Sequence, residues 1–277
     1  MPDVSVIIPC YNQGHYIHDA IESVLAQSCR DFEIIVVNDG STDPGTVAAL
    51  QGLDNPKISV IHTDNQGLAS ARNNGIKQAR APIILPLDAD DKIAPTYMEK
   101  ALRVLRDDPG VGVVYCNVRF FGEKRGTLVL PEFSLVRLLF ENLIFCSAFF
   151  YRKDWEAVNG FNPNMEYGCE DRDFWMSIVS LGRKVHRLPE FLFYYRTRKD
   201  SMWHSISREK KIEMDARAFL NHQDIYREHA VEFFAEINRL QYHADTSLLR
   251  QLLFDKLLHP RELFLNLLRR LRVYPRT

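Results

Sequence analysis

The run Ile83-Ile84-Leu85-Pro86-Leu87 ends in Asp88-Ala89-Asp90-Asp91, three carboxylates within four residues. Carboxylates this close repel one another and sit badly on a half-buried pleated surface, so they do not belong inside a strand. At the tip of a buried parallel strand they can project into a crevice, where a divalent cation satisfies them. Oxygen ligands on one short segment suit Mg²⁺ or Mn²⁺ better than zinc. The simpler alternative is a solvated loop ahead of a helix that starts near Pro95. The rest of the chain decides between the two.

Upstream, Val4 to Ile8 reads as a buried strand stopped by Pro9, followed by the loop Cys10-Tyr11-Asn12-Gln13-Gly14. Tyr16 to Gln27 has helical periodicity through Ile17, Ile21, Val24 and Leu25. A second strand, Phe32 to Val37, runs into Asn38-Asp39-Gly40-Ser41-Thr42-Asp43. Asp-Gly between apolar runs can mark a hairpin, but here a capping cluster and a helical stretch, Thr46 to Leu50, follow. Ile58 to His62 is a third strand, and Gly67 to Lys77 is helical through Leu68, Ala71, Arg72 and Gly75. Strands alternating with helices describe an α/β, doubly wound, parallel sheet. In such a sheet ligands lie outside the carboxyl ends of the strands. The loops at Pro9–Asn12, Asn38–Gly40 and Asp88–Asp90 all fall there. No glycine-rich phosphate cradle is present, so a nucleotide diphosphate would be held through a cation on the carboxylates.

Bulk properties exclude several classes. With 277 residues the chain is one domain or a domain with an appendage, and its net charge of −1 provides no basic field for nucleic acid. The cysteines Cys10, Cys29, Cys116, Cys146 and Cys169 are odd in number and scattered, which points to reduced thiols, not a disulfide framework or a zinc site. No signal-like or membrane-spanning run is visible; even Leu138 to Tyr151 is broken by Glu141 and Asn142. The expected location is cytoplasmic, or peripheral to the inner face of the membrane.

Four blocks then fall in a telling order: Val4 to Asn12, Val36 to Asp43, Asn65 to Asn73, and Leu87 to Asp91. Together they resemble glycosyltransferase family 2, over roughly residues 3 to 205. The resemblance implies a GT-A fold: a Rossmann-like, mostly parallel central sheet with flanking helices. It implies inverting chemistry on a nucleotide sugar. The expected organisation is a GT-A domain over residues 1–206, with a nucleotide-binding half (1–105) and an acceptor half (106–206). A C-terminal helical extension follows over 207–277. Gly160-Phe161-Asn162 is similar to a family turn, with Asn159 and Asn162 departing from it. Tyr167 to Trp175 resembles the family's Glu-Asp motif.

Carried onto this sequence, the resemblance makes Asp171 the catalytic base and Asp90 the main metal ligand, with Asp88 facing the ribose or completing the shell. Glu170 and Trp175 are the expected acceptor contacts, and Glu170 also stands to raise the base's pKa by like-charge proximity. The expected nucleotide contacts are Pro9, Tyr11, Asn12, Asp39, Arg72, Asp88 and Ala89. Tyr11 offers an aromatic face to a pyrimidine. Asp39 can accept from the uracil N3–H, which cytosine lacks and thymine shares. Tyr194-Tyr195-Arg196 is another family-like block. Arg198 stands where a histidine is usual, and His204 comes later, either as a metal-shell residue or in a surface or stacking role.

The expected function is a metal-dependent, inverting transfer from a nucleotide sugar, with a UDP-sugar favoured, to a hydroxyl of a glycan or lipid-linked acceptor in surface polysaccharide assembly. Rival readings are a catalytically inactive nucleotide-sugar-binding scaffold and a nucleotidylyltransferase. The second would show a glycine-rich, basic loop after the first strand, and this chain has none. The resemblance stops near Ser207. Residues 250–276 carry seven Lys or Arg against two Asp or Glu. Such a basic amphipathic tail reads as a packing or dimer contact, or as a peripheral membrane contact.

Overall fold

The computed structural model describes residues 1–199 and 206–240. His204 and the basic tail lie outside them. The first four strands are β1 (Val4–Cys10), β2 (Phe32–Asp39), β3 (Ile58–Thr63) and β4 (Ile83–Pro86). They alternate with α1 (Gly14–Leu25), α2 (Pro44–Gln51) and α3 (Leu68–Gln78). β1, β2 and β4 are buried throughout. Such continuous apolar runs belong to strands covered on both faces. These four pair in parallel in the order β3-β2-β1-β4. β2 runs two residues beyond the expected Val37, because Asn38 and Asp39 still pair with His62 and Thr63.

The second half departs from the parallel pattern. It adds β5 (Lys92–Ile93), α4 (Tyr97–Asp107), β6 (Val111–Gly122) and β7 (Gly126–Leu128). Then come α5 (Leu135–Leu138), β8 (Phe149–Tyr151), α6 (Arg152–Ala157), α7 (Glu170–Ser180) and β9 (Lys184–Thr197). The sheet continues β4-β8-β6-β9-β5. β8 is antiparallel to both neighbours, β6 and β9 are parallel, and β5 is antiparallel to β9. The sheet is therefore mixed, and the mostly parallel description holds for its first half alone.

Close packing fixes the first half. A Cβ on Gly14 would lie 2.3 Å from the Thr46 Cα, and one on Gly75 would lie 2.4 Å from Ile7 Cγ2. Only glycine lets α1 approach α2, and α3 approach the sheet, this closely. α2 begins on a side-chain cap, with Asp43 Oδ2 accepting from Thr46 N–H at 2.7 Å.

After the sheet come α8 (Arg208–Asn221) and α9 (Gln223–Glu228). One compact unit runs from Met1 to Arg227 and takes in α8; a second begins at Glu228, and its described part is helical over residues 230–240. Within the first unit, α8 packs on α7 through polar contacts. Arg172 pairs with Asp215 at 2.5 Å, and Asp173 Oδ1 lies 2.8 Å from Asn221 Nδ2 and 3.1 Å from His222 Nε2. Arg172 and Asp173 are both buried. No helix among the described residues is long and apolar enough to cross a membrane, and all five cysteines are free.

Candidate active site

The strand order reverses direction beside β1, and the loops after β1 and β4 open there, at the carboxyl ends of the parallel strands. A cavity of about 820 Å³ lies on this side. Its acidic wall carries Asp88, Asp91, Glu170 and Asp171, together with Arg72.

Arg72 organises that wall. It sits on α3 with 1% of its side chain exposed. One terminal nitrogen is 2.7 Å from Asp88 Oδ1 and the other 2.5 Å from Glu170 Oε1. The planar guanidinium fork suits such a bridge, whereas a lysine ammonium presents a single point of charge. Arg72 thus pairs with two carboxylates of this wall while itself lining the cavity.

Asp171 reaches the cavity through an unusual turn. Gly168 and Cys169 both have positive φ, 105° and 62°, and they swing the chain into the N-terminus of α7. Asp171 Oδ2 accepts from Asn142 Nδ2 at 2.9 Å, and its Oδ1 accepts from the Arg172 N–H at 2.8 Å. Burial, reinforced by the Glu170 charge, pushes its carboxyl up to about 6. Burial outweighs the two donors and the helix terminus, which favour the ionised form. The expected contribution of Glu170 is present, but second to burial.

The carboxylates after β4 are crowded. Burial, then the Asp88 charge, pushes Asp90 above the usual carboxylate range. Asp91 is raised further by burial and by both neighbours, even though it accepts from the Arg196 N–H at 2.7 Å. Among the described residues no three His, Cys, Asp or Glu side chains form a ready metal cage. The pair Asp88 and Asp90 nonetheless fits Mg²⁺ or Mn²⁺, ions that keep several waters and take the rest of their shell from substrate phosphates. An all-oxygen, over-crowded anionic pair is what such an ion relieves.

The residues expected to contact a nucleotide fall into two groups. Tyr11 is 47% exposed at the end of β1. At φ 54°, Asn12 accepts through its side-chain oxygen from the N–H of Thr42 and Asp43 at 2.8 and 2.9 Å. This ties the β1 loop to the β2 loop. Asp39 is buried and accepts from Thr63 Oγ1, Gln66 N–H and Gly67 N–H at 3.0–3.1 Å. A carboxylate offers about four lone-pair sites, so acceptance capacity remains for one further donor. Pro9 is buried in β1 opposite Val37, and Ala89 is fully buried.

One expectation does not hold. Trp175 is fully buried, and its indole N–H donates to the Ile144 carbonyl at 3.0 Å. It stands one helical turn beyond Asp171, in the core, and cannot touch an acceptor. Two features were not anticipated: Asn142 as the orienting partner of Asp171, and an aromatic wall of Phe120, Phe145, Phe193 and Tyr195 lining the same cavity. Phe145 and Tyr195 meet edge to face with centroids 5.4 Å apart.

The profile of glycosyl transferase family 2 matches residues 5–164. The chain belongs to glycosyltransferase family 2. A further profile, described as the N-terminal domain of galactosyltransferase, matches residues 134–202. Among similar proteins, a chondroitin synthase of Pasteurella multocida is 31% identical over 193 residues, 67% of this chain but only 20% of that protein's length. The uncharacterized glycosyltransferase EpsJ of Bacillus subtilis is 31% identical over 73% of this chain and 63% of its own. This family 2 chain thus spans only part of its curated relatives. Two solved structures share the fold. S. aureus TarS in complex with UDP-GlcNAc matches at TM-score 0.64 and 19% identity, covering 83% of this chain and 72% of that one. The mannosyltransferase PcManGT of Pyrobaculum calidifontis, with GDP-Man and Mn²⁺, matches at TM-score 0.59 and 19% identity, covering 88% and 80%. The GT-A architecture, with its mixed sheet, is common to all three.

Proposed function

We propose that this chain is a metal-dependent inverting glycosyltransferase. It would move a sugar from a nucleotide sugar, with UDP-sugars favoured, to a hydroxyl of a glycan or lipid-linked acceptor in polysaccharide synthesis. One observation carries the reading: Arg72 ties Asp88 to Glu170, and Asp88, Asp91 and the raised carboxyl of Asp171 line one cavity.

Inversion is an in-line displacement at the anomeric carbon. The bond from that carbon to the diphosphate oxygen breaks, and its electron pair leaves with the diphosphate. The acceptor oxygen forms the new bond, and its proton passes to Asp171. A carboxyl near 6 is largely ionised at neutral pH, yet more basic than an ordinary carboxylate, which suits a general base. Asn142 fixes the orientation of that carboxylate. Asp88 and Asp90 would hold the divalent ion, which when bound neutralises charge on the diphosphate. Tyr11 provides the ring face for the base, and the remaining capacity of Asp39 suits a uracil N3–H. Relatives bear on the same reading: TarS has been crystallised with UDP and with UDP-GlcNAc, and chondroitin and hyaluronan synthases are named for the polymers they make.

The test is calorimetric titration of UDP, with GDP, dTDP and CDP as comparators, in Mn²⁺ and then in EDTA. UDP binding that requires the metal is expected, and Asp171→Asn should retain it while losing transfer. Failure of every nucleotide to bind under both conditions would sink the enzyme reading in favour of a scaffold.

A further inference from the structure

Beyond the acidic wall, three cationic side chains line the cavity: Lys124, Arg198 and Lys199. Thr197, the last residue of β9, brings them together. Its hydroxyl accepts from the Lys124 N–H at 2.7 Å, and its carbonyl accepts from the Glu123 N–H at 3.1 Å. Glu123 lines the same rim and offsets one of the three charges.

Arg198 is placed unlike the two lysines. Its Nε lies 3.0 Å from Asp90 Oδ2, with the two side chains 16% and 13% exposed. Its guanidinium also stands 5.2 Å from the centroid of the Tyr16 ring. Arg196, two residues earlier, is fastened to fixed structure instead. Its Nε donates to the Asp90 carbonyl at 2.8 Å, its N–H to Asp91, and its guanidinium to Asp19 at 2.6 Å. Arg196 therefore shapes the turn, while Arg198 neutralises the very carboxylate that a divalent ion would claim.

A guanidinium and a dication cannot both hold Asp90 at full strength, because each repels the other at contact distance. Displaced from Asp90, the guanidinium can pair with another anion that enters the same cavity, which it lines. A diphosphate suits it, since the planar fork matches phosphate oxygens two at a time. We propose that Arg198 is an exchangeable counter-cation, paired with Asp90 when no divalent ion is bound and transferred to the nucleotide's diphosphate when one is. This rests on the assignment of Asp88 and Asp90 as the metal pair. It also fills a gap left by the sequence, which has no glycine-rich loop to cradle phosphates.

The exchange links the two ligands. Metal alone must break the Arg198–Asp90 pair, and nucleotide rewards that break, so each ligand should strengthen the other by the same factor. The experiment measures Mn²⁺ alone, UDP with and without Mn²⁺, and uridine, which lacks phosphates. Calorimetry on the full chain supplies all of these, with free Mn²⁺ checked by electron paramagnetic resonance. In Arg198→Ala, Mn²⁺ alone should bind about tenfold tighter and UDP with Mn²⁺ about tenfold weaker, as expected where one partly buried charge–charge contact is lost on each side. Uridine affinity should not change. Arg198→Lys, which keeps the charge without the fork, should fall between wild type and Ala in UDP binding, and thermal melts of both variants establish that they fold. Unchanged Mn²⁺ affinity in Arg198→Ala, or parallel losses of UDP and uridine, would overturn the proposal while leaving the nucleotide site standing. Wild-type protein that binds neither Mn²⁺ nor UDP would overturn the functional reading as well.

Discussion

Replacing Asp171 with Asn should make the protein more stable while removing transfer. The carboxyl is raised from 3.8 to about 6 in the folded chain. That shift corresponds to about 3 kcal/mol of gross cost for carrying the ionised group in place. Solvent reaches this half-buried side chain at the cavity mouth, and screening reduces the figure to about 1–1.5 kcal/mol. The sign follows from proton binding. Between about 3.8 and about 6 the folded state holds a proton that the unfolded chain has released, so stability falls as pH rises through that window and is level above it. Asparagine carries no such cost. Its amide can keep both existing contacts, to Asn142 and to the Arg172 N–H, with one flip of the Asn142 side chain. For a folded body of this size the gain amounts to about 3–5 °C in melting temperature at pH 7.5. Most of it should vanish at pH 4.5, where the wild-type carboxyl is protonated in the fold. Differential scanning calorimetry of both proteins at the two pH values decides the matter. A melting temperature that is unchanged or lower at pH 7.5, or a gain equal at both pH values, would refute burial as the origin of the raised pKa.

The transfer rate itself should fall tenfold per pH unit below about 6, the region in which Asp171 takes up its proton. Glu170→Gln should move that limb to lower pH, since a like charge is removed, and initial rates across pH 4.5–8 would show it. Arg72→Ala should destabilise the fold by about 3–5 kcal/mol in urea unfolding, because it leaves two carboxylates without their shared partner. Arg72→Lys should recover little of this, for an ammonium cannot span both acids. Gly14→Ala should cost about 1–3 kcal/mol by the same measurement, since the new methyl meets backbone and not a movable side chain.

The parallel half of the sheet was legible because each strand there is a continuous apolar run followed by its own helix, so local pattern and global fold agree. The carboxylate clusters were legible for the opposite reason: Asp88 to Asp91 and Glu170-Asp171 contradict the apolar segments beside them. What escaped was set by long-range contact. β9 parallel to β6 but antiparallel to the two-residue β5 cannot be inferred from periodicity. Asn142 lies 29 residues before Asp171 in an irregular stretch, and nothing in its neighbours marks it as a partner. Trp175 was expected at the acceptor from the family resemblance, and it does stand four residues after Asp171 on the same helix face. Here that face leaves the cavity within one turn and enters the core. Arg72, Asp88 and Glu170 were each singled out, but the pairing of the first with the other two, 16 and 98 positions away, was not.

The contacts between α7 and α8 bear on where this enzyme ends as a physical object. α7 presents Asp171 to the cavity, while Arg172 and Asp173 turn away from it and are buried against Asp215, Asn221 and His222. A chain cut after residue 206 would keep every residue lining the cavity, yet strand those two charges on an uncovered face of the same helix. The smallest autonomous piece is thus longer than the set of groups that line the cavity, and a pull on α8 is a pull on the helix that carries Asp171.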